Sequence, residues 1–260
     1  MSDEGSTSVI AVCGKGGVGK TVISAMLTRL LAEDSSRKIL AIDADPAIGL
    51  SSALGIEIHR TVDDIRNDLI RRYREGEKSD RDALIKQLDY DLFELIRERN
   101  NLAFLAIGRP ETDGCYCQVN SLLKDIIRDI AFNFDFVVID AEAGIEQVNR
   151  RVMALVTHLF LVSDISAKAR NVAATIEKVA RQAIAFKDAM VLFNRIRAGD
   201  ESGLIKDNSL PRVIGFIPED DIVREFDREG KCLFDLPESP GLAALRKAVD
   251  PLWPLTGGKD

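Results

Sequence analysis

The segment Gly14-Lys15-Gly16-Gly17-Val18-Gly19-Lys20-Thr21 matches the phosphate-loop pattern G-x-x-x-x-G-K-[ST]. An apolar, β-branched run precedes it at Val9–Cys13, and apolar residues at helical spacing follow it from Val22 to Leu31. Strand, glycine-rich loop and helix are the context that this motif requires, because backbone N–H groups then surround phosphates at a helix N-terminus. We expect Lys20 to reach the β- and γ-phosphates and the Thr21 hydroxyl to bind Mg²⁺.

The composition is that of a single globular domain covering residues 1–260. With 46% hydrophobic residues the chain can bury one large core, while its net charge of −7 argues against a surface that binds nucleic acid broadly. No apolar run is long enough to span a membrane, and the polar first residues are unlike a signal peptide, so we expect residues 1–7 to be disordered. We therefore expect a cytoplasmic protein without nucleic-acid or membrane partners, whose four cysteines are thiols or metal ligands.

Runs of strand and helix character alternate along the chain, which predicts an α/β fold with a mostly parallel sheet and helices on both faces. The strand-like runs are Val9–Val12, Lys38–Ile42, Leu102–Ile107, Phe136–Ile139, Leu159–Val162, Met190–Phe193 and Val213–Phe216. The helix-like runs are Lys20–Ala32, Val62–Arg74, Asp82–Arg97, Asn120–Ile130, Gln147–Val156, Ala169–Ile184, Asp221–Arg228 and Gly241–Val249. Within a helical variable insert at residues 56–101, the charged stretch Arg71–Asp82 is predicted to be a solvated loop.

Two aspartates follow the predicted strand that ends at Ile42, at the edge where parallel sheets bind their ligands. Pro46 stops this strand and favours an extended conformation at Asp45, which directs the Asp45 carboxylate out of the sheet toward the γ-phosphate. An aspartate that only caps a strand-to-loop turn would give the same pattern. Asp43 is predicted to anchor the waters of Mg²⁺ or the phosphate loop.

The apolar run Phe136–Ile139 ends in Asp140, which is the Walker B pattern. We expect Asp140 to hold Mg²⁺ directly, through water or through Thr21. Hydrophobic strands that end in aspartate are common, so this pattern alone is weak. Its position relative to Lys20 and Asp45 makes it a strong indication of a nucleotide site.

The run Lys15-Gly16-Gly17-Val18-Gly19-Lys20-Thr21 resembles the deviant phosphate loop of the nitrogenase iron protein and of the septum-site and chromosome-partition ATPases. The resemblance implies an ATP-sandwich homodimer in which Lys15 crosses the interface to the phosphates of the partner's nucleotide. It also implies that Asp45 belongs to switch I and helps to position the attacking water. Val22 departs from the pattern, because many members carry a second threonine at this position; this weakens the expected contact to the α-phosphate.

The resemblance also implies that two further residues bind the base. In similar ATPases an asparagine after the corresponding strand reads adenine, and Asn194 follows the predicted strand Met190–Phe193. The segment around Pro218 packs against the base in the same proteins. Both residues are also ordinary turn formers, so a purely structural role is an equal alternative.

Cys115-Tyr116-Cys117 places two thiols at C-x-C spacing in a glycine-containing segment. Two thiols provide only half of a tetrahedral sulfur site, and a lone pair of this kind is more simply interpreted as unliganded. The implied homodimer reverses that preference, because an isologous interface brings identical residues face to face and supplies two more thiolates. We therefore predict an intersubunit metal site of four thiolates.

The segment Gly108–Ser121, with its C-Y-C-Q-V-N-S ending, and the segment Asp140–Glu146 resemble the CooC-type ATPases. These proteins assist nickel insertion into carbon monoxide dehydrogenase and bind metal through a C-x-C at the dimer interface. The resemblance extends from Val9 to about Pro218. It implies an ATP-hydrolysing homodimeric maturation factor whose other partner is an apo nickel–iron–sulfur enzyme. It also implies that Cys115 and Cys117 bind Ni²⁺ between the subunits, at a site that Zn²⁺ could also fill.

Two other functions compete with nickel maturation. Four interfacial cysteines could equally hold a [4Fe–4S] cluster, but the iron-protein arrangement needs a cysteine soon after Asp140, and none occurs before Cys232. A positioning ATPase that acts on membrane or DNA would need a basic face or an amphipathic basic tail. The segment Asp250–Pro254 is interrupted by prolines and has little positive charge, which disfavours this third possibility.

Overall fold

The computed structural model describes residues 7–75, 81–109, 117–141, 154–204 and 209–255. Within these ranges eight strands form one sheet, and helices connect them. The strands are β1 (Ser8–Gly14), β2 (Ile39–Asp43), β3 (Arg97–Arg99), β4 (Leu102–Ala106), β5 (Phe136–Asp140), β6 (His158–Ser163), β7 (Asp188–Ile196) and β8 (Arg212–Pro218). The helices are α1 (Lys20–Ala32), α2 (Leu50–Ala53), α3 (Val62–Arg74), α4 (Arg81–Leu95), α5 (Cys117–Ala131), α6 (Ala167–Ala183), α7 (Glu201–Leu204), α8 (Asp221–Glu229) and α9 (Pro240–Val249), with a 3₁₀ turn at Leu233–Asp235.

The strand order across the sheet is β3-β4-β2-β5-β1-β6-β7-β8. All neighbouring strands pair in parallel except β3, which pairs antiparallel with β4 at one edge. β1 therefore lies in the interior of the sheet, between β5 and β6. Because parallel strands share one carboxyl edge, the chain segments that follow β1, β2, β5 and β7 meet there.

The side chains of β1 alternate between two apolar cores, one on each face of the sheet. Val9, Ala11 and Cys13 pack into the core that α3, α4, α5 and α6 cover. Ile10 and Val12 pack into the core that α1, α2 and α9 cover. All five side chains are completely buried, which explains why this strand is a continuous apolar run in the sequence rather than an alternating one.

The predicted fold class is confirmed, and each predicted strand overlaps an observed one. The differences lie in the charged region before β4. Helix α4 ends at Leu95 rather than at Arg97, because Arg97 begins the three-residue edge strand β3. The predicted loop Arg71–Asp82 is wrong at both ends, since α3 continues through Arg74 and α4 starts at Arg81. A salt bridge of 2.9 Å from Arg71 to Asp68 one turn earlier supports the helical continuation.

The insert predicted at residues 56–101 contributes to the main domain. Val62 on α3 and Leu88 and Leu92 on α4 are completely buried in the core beneath the sheet. The predicted helix Gln147–Val156 lies outside the described residues except for its last three, which are not helical. In the described part of the chain, no helix combines the length and the apolar character needed to cross a membrane.

Candidate nucleotide-binding site

The phosphate loop connects β1 to α1 at the carboxyl edge of the sheet, as the sequence predicts. Gly14 has a φ of 151°, and a Cβ at this position would lie 2.2 Å from the carbonyl oxygen of Val162 on β6. Gly19 precedes α1 with a φ of 91°, and a Cβ there would lie 2.6 Å from Asn194 Nδ2. Both positions therefore require glycine, because the loop runs directly against the ends of β6 and β7.

Two side chains at the end of β7 hold carbonyl groups of the phosphate loop. Asn194 Nδ2 donates a hydrogen bond to the carbonyl oxygen of Val18 at 2.8 Å, and Arg195 Nη1 donates to that of Gly17 at 3.1 Å. The C=O and N–H of a trans peptide point in opposite directions, so the N–H groups of Val18 and Gly19 face away from β7. This is the orientation that lets loop amides bind phosphate oxygens.

Asp43 and Asp140 end the neighbouring strands β2 and β5 and lie side by side in the sheet. Burial, together with the negative charge of Asp140, raises the pKa of Asp43 to about 7. Burial also raises the pKa of Asp140 to about 6, although the hydroxyls of Thr21 and Ser24 and the charge of Lys20 oppose this shift. Two buried carboxyl groups that resist ionisation in this way form a site that favours a cation.

The Asp140 carboxylate has one engaged and one free oxygen. Oδ1 accepts a hydrogen bond from Ser24 Oγ at 3.1 Å, whereas Oδ2 is buried and has no hydrogen-bond partner among the described residues. An anionic oxygen without a partner near the Thr21 hydroxyl suits Mg²⁺ or a Mg²⁺-bound water. Asp140 and Thr21 would therefore hold the ion, which when bound would supply positive charge to the phosphates of ATP.

The Asp43 carboxylate binds the segment that follows β2. Its Oδ1 accepts from the N–H of Asp45 at 3.1 Å, and its Oδ2 accepts from the N–H of Leu50 at 2.8 Å. Asp43 thus fixes both ends of the segment that contains Asp45. A contact from Asp43 to the waters of Mg²⁺ stays a prediction.

Asp45 lies half-buried in a turn. Its Oδ1 accepts from the N–H of Ala47 at 2.9 Å, which is the turn-forming contact that the sequence offered as the alternative to catalysis. The turn places Asp45 at the same edge of the sheet as the phosphate loop, because β2 and β1 are both parallel to β5. A role for Asp45 in hydrolysis stays a prediction.

The two lysines of the loop differ in environment. Lys20, the first residue of α1, is only 9% exposed, whereas Lys15 is half-buried at the start of the loop. Asp164 follows β6 close to Lys15. Burial raises the pKa of Asp164, but hydrogen bonds from Ser166 and the positive charges of Lys15 and Arg195 outweigh burial and hold that pKa below its usual value. Lys15 therefore has an anionic neighbour within its own chain.

A cavity of about 300 Å³ lies beside α1 and the ends of β7 and β8. Asn194 and Pro218, the residues predicted to bind the base, line it, and so does Val22, the residue expected near the α-phosphate. Met26 and Ile217 add apolar wall, Glu219 and Asp220 add carboxylates, and a cleft of this size can accept a nucleotide base. The structure thus brings the three predicted residues together, while adenine recognition by Asn194 stays a prediction.

The structure describes only one of the two cysteines that are predicted to bind metal. Cys115 is outside the described residues, and Cys117 is described only as the first residue of α5. The described part of the chain contains no cluster of three or more His, Cys, Asp or Glu that could hold a metal ion. Of the other two cysteines, Cys13 is fully buried with a pKa that burial raises to about 12, and Cys232 accepts a contact of 3.2 Å from Arg99 Nη1.

Three residues near the site have no motif that would have identified them. Ser24, one turn into α1, donates a hydrogen bond to Asp140, and Arg195 donates one to the Gly17 carbonyl. The positive charge of Lys15 lowers the pKa of Asp164. Their roles depend on which strands are neighbours. The sequence indicates two of them only by position, since Asp164 and Arg195 follow closely after predicted strands.

The loop, the paired aspartates and the base cavity define a P-loop nucleotide-binding protein. Residues 9–234 match the family described as the CobQ/CobB/MinD/ParA nucleotide-binding domain, CbiA, and the chain belongs to this family. The chain is accordingly a P-loop ATPase.

Curated relatives and solved structures agree with this assignment. An uncharacterised ATP-binding protein of Methanocaldococcus jannaschii is 37% identical over 89% of this chain and 92% of its own length. The carbon monoxide dehydrogenase accessory protein CooC of Rhodospirillum rubrum is 30% identical over 93% of this chain and 97% of its own. Among solved structures, the septum site-determining protein MinD of Pyrococcus horikoshii, complexed with Mg-ADP, has a TM-score of 0.69 and 25% identity, covering 96% of this chain and 98% of its own.

Proposed function

We propose that this ATPase is a homodimeric nickel-maturation factor that binds Ni²⁺ between its subunits and supports insertion of the metal into carbon monoxide dehydrogenase. The observation that carries the proposal is the 30% identity to CooC, which extends over 93% of this chain and 97% of CooC. A relationship of that extent is not limited to the phosphate loop. This chain carries Cys115-Tyr116-Cys117, which offers the soft thiolate ligands that Ni²⁺ accepts.

The position of the cysteine pair along the chain supports a link between metal and nucleotide. β4 ends at Ala106, at the same edge of the sheet as the phosphate loop, and α5 begins at Cys117. The pair therefore belongs to the connection that leaves the nucleotide edge. A change in subunit geometry at that edge on ATP binding or hydrolysis could in this way reach the metal ligands.

The stoichiometry follows from symmetry. One chain contributes two thiolates, and a two-fold axis supplies the same two from the partner, which completes a four-sulfur site. Lys15 would act at the same interface by contacting the nucleotide of the partner. Metal binding and dimer formation are then reciprocally linked, so each raises the affinity of the other by the same factor.

The test is an anaerobic Ni²⁺ titration with the mass of the dimer measured in parallel. We expect one metal ion per dimer and proton release on binding, because thiols must ionise to ligate. Cys115→Ser and Cys117→Ser should each remove two of the four ligands and abolish tight binding while ATP binding survives. Cys232→Ser is the matched control and should titrate like the wild type, since Cys232 lies on another segment beside Arg99.

Each alternative outcome has a distinct meaning. Tight binding of one Ni²⁺ or Zn²⁺ per dimer by the double serine variant would exclude the intersubunit site. A brown protein on anaerobic purification, with iron and sulfide bound to the same cysteines, would instead support an iron–sulfur cluster carrier. Nucleotide-dependent binding to lipid vesicles or DNA without metal affinity would favour a positioning ATPase, the function named for the MinD relatives.

A further inference from the structure

Arg195 occupies an unusual backbone position at the end of β7. Its φ is 59°, in the left-handed region that non-glycine residues adopt rarely, and the pairing of β7 with β8 shifts register between Asn194 and Ile196. A bulge of this kind redirects a side chain that regular pairing would place on the other face. Here it allows Asn194 and Arg195, which are consecutive, to face the same phosphate loop.

The Arg195 guanidinium lies over the outer side of that loop. Nη1 donates to the carbonyl oxygen of Gly17 at 3.1 Å, and a Cβ added at Gly19 would lie 3.8 Å from Nη2. The same side chain lines the base cavity together with Val22 and Asn194. Arg195 therefore borders both the loop that surrounds the phosphates and the cavity that accepts the base.

We propose that Arg195 is a positioning residue of the nucleotide site that acts at the junction between the ribose and the α-phosphate. A nucleotide with its phosphates in the loop and its base in the cavity must span the distance between the two, and Arg195 borders both. Arg195 holds the Gly17 carbonyl through one N–H, and its exposed cationic face supplies charge to the nearest phosphate. The second action replaces the α-phosphate contact that Val22 cannot provide in place of threonine.

Arginine suits these two tasks better than lysine does. Its planar guanidinium has five donors in a fixed arrangement, so one N–H can hold a carbonyl while others face an anion. Lysine would keep the charge and lose the fixed geometry. The negative charge of Asp164 lies close to the positive charges of Arg195 and Lys15 and limits the excess of positive charge on this side of the loop.

The experiment measures affinity for Mg-ADP and Mg-ATP by titration calorimetry in two variants. Arg195→Asn removes the guanidinium but suits the left-handed backbone, because asparagine tolerates this conformation. We expect its dissociation constants for both nucleotides to rise about tenfold, the scale of a lost hydrogen bond to a charged group. Arg195→Lys should recover part of the loss. The melting temperature without nucleotide should match that of the wild type.

Arg212→Asn is the control. Arg212 forms a salt bridge with Asp188 at the opposite end of β7 and β8, so its loss should leave nucleotide affinity unchanged. Wild-type affinity in Arg195→Asn would overturn the proposal. So would a loss of affinity that accompanies an equal fall in melting temperature and that lysine does not relieve, because the role would then be structural only. A loss confined to Mg-ATP would also overturn it, by moving the contact to the γ-phosphate.

Discussion

Replacing Asp140 by asparagine should stabilise the nucleotide-free protein while removing its response to Mg²⁺. Asp140 is 1% exposed, and burial raises the pKa of its carboxyl from 3.8 to about 6. Asparagine has nearly the same shape and mimics the neutral acid. Its amide oxygen can accept from Ser24 as Oδ1 does now, and its NH₂ group takes the place of the unpartnered Oδ2. The substitution therefore removes a buried charge while keeping the hydrogen bond from Ser24.

The size of the effect follows from the pKa. Between pH 3.8 and about 6 the folded state binds more protons at Asp140 than the unfolded state does, so the free energy of unfolding falls as pH rises through this window. At about 1.36 kcal/mol per pH unit, the loss is about 3 kcal/mol at pH 7.5 and about half as much at pH 5. The variant avoids this loss. At about 2–4 °C per kcal/mol, its melting temperature should exceed that of the wild type by about 6–12 °C at pH 7.5 and by about half as much at pH 5.

The assay is thermal unfolding at both pH values, without ligand and with ADP in the presence and absence of Mg²⁺. Asp129→Asn is the control, because its side chain is 71% exposed and its salt bridge to Arg128 contributes little. In the wild type, adding Mg²⁺ to the ADP complex should raise the melting temperature, and in Asp140→Asn it should not. A variant that is less stable than the wild type at pH 7.5, or that responds to Mg²⁺ as the wild type does, would refute the reasoning.

The remaining predictions concern the loop and the attacking water. Lys20→Ala should abolish nucleotide binding or hydrolysis in a phosphate-release assay, because the phosphates lose their principal cation, and unchanged turnover would contradict the site. Lys15→Ala should keep nucleotide affinity but lose hydrolysis and nucleotide-driven dimerisation, measured by light scattering; an equal loss of monomer binding would restrict Lys15 to its own chain. Asp45→Asn should bind Mg-ATP and hydrolyse it slowly, whereas wild-type turnover would assign the role elsewhere, with Glu142, which follows Asp140 in the sequence, as the alternative. Gly14→Ala should cost about 3–5 kcal/mol in urea unfolding, because its Cβ meets the Val162 carbonyl oxygen at 2.2 Å; a smaller cost would show that β6 can shift.

The interior of the fold was predictable because its strands are buried on both faces. The run that becomes β1 and the run that becomes β5 are uninterrupted apolar segments, which only a covered parallel sheet requires. The edge strand β3 could not be predicted in this way. Its sequence, Arg97-Glu98-Arg99, has no apolar face, and it forms because β4 offers an unpaired edge directly across a two-residue turn.

The site residues likewise fall into those that the sequence predicts and those that it does not. Residues within one contiguous motif, such as Lys20 and Thr21, were predictable from spacing alone. Contacts between segments distant in sequence were not: Asn194 meets the Val18 carbonyl across 176 positions, and Ser24 meets Asp140 across 116. Which strands are neighbours determines these contacts, and the strand order does not follow the order of the chain.

Backbone strain is concentrated where the nucleotide binds. Among the described residues, three other than glycine have a positive φ: Ile48, Asn100 and Arg195. Asn100 lies in the turn between β3 and β4, where asparagine is an ordinary choice. Ile48 is β-branched and strongly disfavours this conformation, yet the hydrogen bonds from Asp45 and Leu50 to Asp43 hold its segment on both sides. Arg195 is held by the Gly17 carbonyl. Ile48 also packs against the core that α1, α2 and α9 cover. The two strained residues lie in the two segments that border the predicted nucleotide site, and strain at such positions is typical of segments prepared for a ligand.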